Sequence, residues 1–124
     1  MDKCFTRFLG RPFIAGKFDC WSLIEEFYAQ FGYRFDCAFR YKDSKVLPCE
    51  IGFKYFKDWN KVGVPKKGDL VLFKRKGVLY HGGVIVNRAA FMHATRSFGV
   101  VVSPLTCWKT QLFGFYRNAE LDIC

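Results

Sequence analysis

Between Asp19 and Phe31 the apolar residues follow a helical rhythm. Trp21, Ile24, Phe27, Tyr28 and Phe31 recur at steps of three and four, which puts them on one face of an α-helix, and Asp19 stands where an N-cap belongs. Gly32 supplies the stop. Ahead of the helix, "GRPFIAGKFDC" carries two glycines and a proline and is expected to be a loop. From Pro65 the rhythm changes: "DLVLFK", "LYHGGVIVN", "AAFMHATR", "GVVVSPL" and "QLFGFYRN" are five short β-rich runs set apart by Gly, Asn-Arg and Pro. They predict an antiparallel sheet in the form of a small barrel or half-barrel. Helix first and sheet second, without alternation, makes the class α+β. Residues 33–63 mix charges, aromatics and Pro48, and "EIGFKYFKDWN" within them is a candidate second short helix. No repeat, low-complexity tract or linker interrupts the chain, so residues 1–124 are expected to form a single domain.

Composition agrees, since 124 residues with 51% hydrophobic and 19% aromatic content can fill one core. The apolar runs are strand-sized, and "MDKCFTRFLGRPFIAGKF" lacks the apolar stretch of a signal peptide, so neither membrane insertion nor export through a standard signal is expected. Six cysteines in a chain without such a signal are expected to be free thiols. With no Cys-x-x-Cys pair and only two histidines, no metal site is expected. The net charge of +9 has its surplus in "PKKGD" and "FKRKG", which read as turns at strand ends. A solvated basic surface of this kind favours polyanionic targets without specifying nucleic acid.

Cysteine chemistry requires a thiolate, and Cys20 alone among the cysteines opens the principal helix, where amides and dipole are expected to favour the negative form. A base is also required, and the chain offers His81 and His93, in runs flanking "VNRA". A hairpin centred on Asn87 sets the two directly opposite, with Cβ atoms about 5 Å apart; a loop of different parity staggers them. One imidazole then takes the thiol proton while the other orients it. Tyr80, by strand alternation, is expected on the face opposite His81. Taken singly, a buried cysteine or a strand histidine is more often structural than catalytic; the candidate site rests on their combination.

These residues resemble the NlpC-type cell-wall peptidases, papain-like cysteine hydrolases. "RPFIAGKFDCWSLIEEFY" is similar to their Pro-aromatic, Gly, Asp-Cys segment before a helix. "VPKKGDLVLFKRKGVLYHGGVIV" is similar to their Pro-x-x-Gly-Asp-Leu strand followed by a His-x-Gly strand, and "AAFMHATRSFGVVVSPL" to a strand ending in His-Ala. The resemblance runs from about residue 8 to 117 and is weakest over 33–63. It implies an NlpC-type fold, an N-terminal helix carrying the cysteine on a five- to six-stranded antiparallel sheet. It implies Cys20 as nucleophile, His81 as general base, His93 as the group orienting it and the Cys20 amide as part of an oxyanion hole. It implies no cofactor, and as substrate an amide of a peptidoglycan stem peptide, such as the bond between D-glutamate and a diamino acid.

"DCW" and "GVVVSPLTCWKTQLFGFYR" are most like the members encoded by tailed phages as tail-tip or tail-assembly proteins, which implies tail-tip partners, a place in the virion and action at the cell wall or periplasm. Phe13, Asp19 and Trp21 fall where such proteins contact substrate, with two departures: Phe13 replaces a tyrosine and Trp21 a small polar residue. An acyltransferase would use the same three residues. A structural tail-tip subunit with a vestigial or closed site, or a nucleic-acid binder, stays open as an alternative; the last leaves Cys20 and the histidines unexplained.

Overall fold

The computed structural model describes residues 1–35, 47–48 and 56–124. A short helix, α1 (Lys3–Thr6), precedes the main helix α2 (Cys20–Ala29). Then come β1 (Leu47–Pro48), β2 (Asn60–Val62), β3 (Leu70–Arg75), β4 (Val78–Asn87), β5 (Ala90–Thr95), β6 (Gly99–Pro104), a 3₁₀ helix (Leu105–Gln111) and β7 (Leu112–Arg117). The five β-rich runs of the sequence are β3 to β7. Short α1, β2 and the 3₁₀ helix carry no pattern long enough to announce them, and the candidate helix "EIGFKYFKDWN" lies mostly outside the described residues.

Six strands form one antiparallel path in the order β2-β7-β3-β4-β5-β6, and β1 pairs with the Val78–Leu79 end of β4. The class is α+β, as expected. Central β3 explains its own unbroken apolar run, because it is covered on both faces. Leu70 and Leu72 join Val84, Met92 and Val100 under α2, while Val71 and Phe73 join Ile85 and Phe91 under the 3₁₀ helix. Helix α2 sends Trp21, Leu23, Ile24, Phe27 and Tyr28 into the first of these layers. No helix among the described residues is long and apolar enough to cross a membrane.

The lead into α2 is held by the free edge of β6. Gly10 N–H donates to Val100 C=O at 2.9 Å and Val100 N–H to Arg11 C=O at 3.0 Å. Gly99, beside this contact, has φ +70° and no room for a Cβ against the Arg11 carbonyl, so both conformation and space require glycine there. One sequence expectation is corrected: Cys4 and Cys124 are joined by a disulfide, because the C-terminal segment returns alongside α1 and brings their Cα atoms within 6.5 Å. Cys20 and Cys107 are free thiols, and Cys37 and Cys49 lie outside the described residues.

The Gly-Asp motif before β3 is a structural fastener. Buried Asp69 accepts Arg117 Nε at 2.7 Å, Arg117 Nη2 at 2.6 Å and the Lys66 amide at 2.7 Å, locking the start of β3 to the end of β7. Next to it, Tyr28 O–H donates to the Gly68 carbonyl at 2.8 Å and ties α2 to the same corner. Asp69→Ala leaves three donors without their acceptor and is expected to cost about 3 kcal/mol in urea unfolding, the lower end of the range for breaking a buried pair, because Arg117 keeps partial access to water.

Candidate active site

The nucleophile candidate is positioned by its neighbours in sequence. Asp19 Oδ1 accepts the Trp21 and Ser22 amides, each at 3.0 Å, and Ser22 Oγ accepts the Asp19 amide at 3.2 Å, so Asp19 and Ser22 close a capping box around Cys20. Gly82 then allows the helix to approach β4. A Cβ on it would stand 2.9 Å from Ile24 Cδ1 and 3.1 Å from the Trp21 ring. In the space gained, the Gly82 N–H comes within hydrogen-bonding reach of the Cys20 sulfur. The ladder pairing β4 with β5 runs from Asn87–Ala90 only to Val84–Met92, so Gly82 belongs to the stretch of β4 beyond it.

Of the three expected substrate contacts, two are inside the protein. Asp19 and Trp21 are 4% and 1% exposed, the first committed to the cap and the second packed beneath Gly82, so both support the helix start at Cys20 and offer no surface in this arrangement. Phe13 is partly exposed, with the Arg96 guanidinium 5.1 Å from its ring centre.

His81 and His93 do meet, by a different register from the one expected. The pairs Val84–Met92 and Ile85–Phe91 centre the hairpin on residue 88, so His93 falls opposite Gly83 and His81 reaches it diagonally. The turn is Arg88–Ala89, with Val86 as an extra residue in β4, and this shifts the register by two, which preserves the shared face. Gly83 lets β5 come close at this point: a Cβ there would lie 3.2 Å from His93 Cβ and 2.9 Å from the Phe91 ring. The result is a hydrogen bond of 2.7 Å between His81 Nε2 and His93 Nδ1.

Three further residues adjoin this pair. Trp108, from the 3₁₀ helix, stacks on His81 with ring centres 5.2 Å apart and meets His93 edge-on at 5.3 Å. Ser103 Oγ lies 2.7 Å from His93 Nε2. Its signal is parity: with His93 opposite Val101 and Phe91 opposite Ser103, the serine is a second diagonal neighbour on the histidine face. Tyr80 corrects the alternation argument. Phe73 pairs with His81 and Lys74 with Leu79, so Tyr80 is the extra residue of a bulge and packs with the His81 cluster instead of on the opposite face. Its hydroxyl accepts Arg75 Nη2 at 3.4 Å.

Burial sets the electrostatics. It pushes the Cys20 thiol up to about 12, with the Asp19 charge adding to the effect, and the favouring amides of Gly82, Trp21 and Cys20 do not overcome it. The thiolate-favouring influence expected of the helix start is therefore present and outweighed. Burial, then the proximity of His93, lowers His81 to about 3, and burial lowers His93 to about 4. At neutral pH the Cys20 thiol and both imidazoles are therefore neutral. Among the described residues, no three His, Cys, Asp or Glu side chains are grouped to hold a metal ion.

A family model described as the NlpC/P60 family matches residues 10–117. The chain belongs to the NlpC/P60 family. Its members are in general cysteine peptidases and peptidoglycan hydrolases. Among individual relatives, the tail tip assembly protein K of Escherichia phage N15 is 31% identical over 97 residues, covering 68% of this chain and 38% of that protein's own length. Among solved structures, an NLP/P60 family protein similar to lipoprotein from Staphylococcus aureus has a TM-score of 0.66 at 19% identity, over 92% of this chain and 38% of its own. The NlpC/p60 domain of the peptidoglycan hydrolase SagA has a TM-score of 0.65 at 17% identity, over 92% of both chains. These two likenesses establish the NlpC/P60 fold.

Both histidines sit below the ordinary value of 6.5 when folded, so the unfolded chain takes up protons first as pH falls. Their contribution to stability is complete above about 6.5 and is lost as pH falls through the folded values of about 4 and about 3. The thermal midpoint is expected to drop across that window, and the double variant His81→Gln/His93→Gln to show a shallower drop; equal slopes in differential scanning calorimetry would contradict the assignment.

Proposed function

We propose that residues 1–124 act as one catalytic unit, a cysteine hydrolase that cleaves an amide of peptidoglycan stem peptides as a component of a phage tail tip. What supports this reading is Cys20 at a capped helix start, with the Gly82 amide at its sulfur, and the hydrogen-bonded pair His81–His93 that starts at the residue before Gly82, in a chain of the NlpC/P60 family. The tail-tip part rests on the likeness to tail tip assembly protein K of phage N15.

In this mechanism the Cys20 sulfur attacks the peptide carbonyl after its proton passes to His81. His81 has Nε2 occupied by His93, so Nδ1 is the nitrogen assigned to the thiol. His93 fixes the ring, and the Cys20 amide, at the helix start, donates to the oxyanion. The His81 imidazolium then protonates the leaving amine, and water, activated by the same base, hydrolyses the acyl-enzyme. The thiol is only 2% exposed, so substrate entry has to displace cover from it, and Trp108 likewise covers the His81 ring. We assign the bond between D-glutamate and a diamino acid as the scissile one.

The same burial favours a second reading, a tail subunit that keeps the fold with its site closed. Purified peptidoglycan incubated with wild type, Cys20→Ala and His81→Ala separates the two by mass spectrometry. Stem-peptide fragments from wild type, falling at least about 10³-fold in both variants, are expected; their masses name the bond. No fragments from any of the three, across several wall chemotypes, would leave the assembly reading in place.

A further inference from the structure

His81, His93 and Ser103 form one line of hydrogen bonds across three strands, with both contacts at 2.7 Å. Such a line has a direction. Each imidazole is neutral near pH 7 and carries a single N–H, so the protons along the line must all point the same way. Pointing toward Ser103, His93 donates from Nε2 to the hydroxyl oxygen, His81 donates from Nε2 to His93 Nδ1, and His81 Nδ1 keeps a lone pair. Pointing away, Ser103 donates, His93 donates from Nδ1, and the hydrogen of His81 ends on Nδ1. Only the first direction leaves His81 able to accept a proton at that atom.

We infer that Ser103 is a positioning residue that accepts the His93 Nε2–H and so holds the line in the direction that keeps His81 Nδ1 a proton acceptor. The inference rests on Cys20 and His81 acting as nucleophile and base. Its placement suits the task. Ser103 is half-buried on β6, while His93 is 1% exposed. A hydroxyl at that boundary can turn its own O–H outward and keep its oxygen for the ring. An apolar residue would leave the buried Nε2–H with no acceptor, and His93 would then gain by moving its proton to Nδ1.

The test is the ring-nitrogen signature of histidine-¹⁵N-labelled protein by NMR near pH 7, in wild type, Ser103→Ala and Ser103→Thr. Both histidines of wild type are expected to carry the proton on Nε2. Ser103→Ala is expected to shift His93 toward Nδ1–H at an unchanged circular dichroism spectrum, and Ser103→Thr, which restores the hydroxyl, to match wild type. On peptidoglycan, kcat is expected to fall roughly tenfold in Ser103→Ala with KM unchanged and to recover in Ser103→Thr, a fraction of what the base itself supplies. A wild-type His93 protonated on Nδ1, or a Ser103→Ala protein with unaltered tautomers, overturns the inference. The NMR measurement needs no substrate. A tautomer shift in a protein that cuts no wall would therefore remove the hydrolase reading while leaving the role of Ser103 in place.

Discussion

Two adjacent positions without side chains, Gly82 and Gly83, set the spacing on which the centre of this molecule depends. They face opposite sides of β4. On one side Gly82 admits the first turn of α2, so that Trp21 and Ile24 crowd the place where a methyl group would otherwise stand; on the other, Gly83 leaves that place to the Met92 carbonyl, the Phe91 ring and His93 Cβ, beside the residue that His81 meets. The helix carrying the thiol and the strands carrying the imidazoles are thereby brought together through one dipeptide. A methyl at either position acts on a different neighbour: at Gly82 the terminal Cδ1 of buried Ile24 must shift, while at Gly83 the methyl meets the Met92 carbonyl, main chain that cannot turn aside.

That spacing also explains why the resting site carries no charge. Close contact excludes water, and without water neither a thiolate nor an imidazolium is favoured. The amides around the sulfur remain in place as fixed dipoles with nothing yet to stabilise. In the proposed mechanism they stabilise negative charge, first on the sulfur and then on a carbonyl oxygen, and their orientation costs nothing at that moment. A buried neutral pair and an organised set of donors are two results of the same packing.

Much of this architecture was legible in the chain. The rhythm from Trp21 to Phe31 gave α2, the cap was visible in Asp19, and five β-rich runs became β3 to β7. The pairing of the histidines on one face was also readable, because parity survives a shift of two residues. Their exact opposition was not, since the turn at Arg88–Ala89 and the extra residue Val86 are settled by packing between strands that no local pattern reports. Tyr80 was misplaced for the same reason, a bulge. The direction of the Cys20 shift escaped because it follows from depth of burial, and the Cys4–Cys124 bond because it joins segments brought together only by the fold. Ser103, inside "GVVVSPL", became visible only once β6 had a register against β5.

The segment Gly10–Arg11 occupies the main-chain hydrogen-bonding groups of Val100 on the outer edge of β6, and the same segment leads directly toward Cys20. An extended peptide seeking to add itself as one more strand at this point would have to evict the polypeptide that leads to Cys20. At Val100, recognition by strand augmentation and an assembled Cys20 exclude each other, so any peptide read while the thiol is in position must be held there by its side chains and termini, not by its backbone ladder.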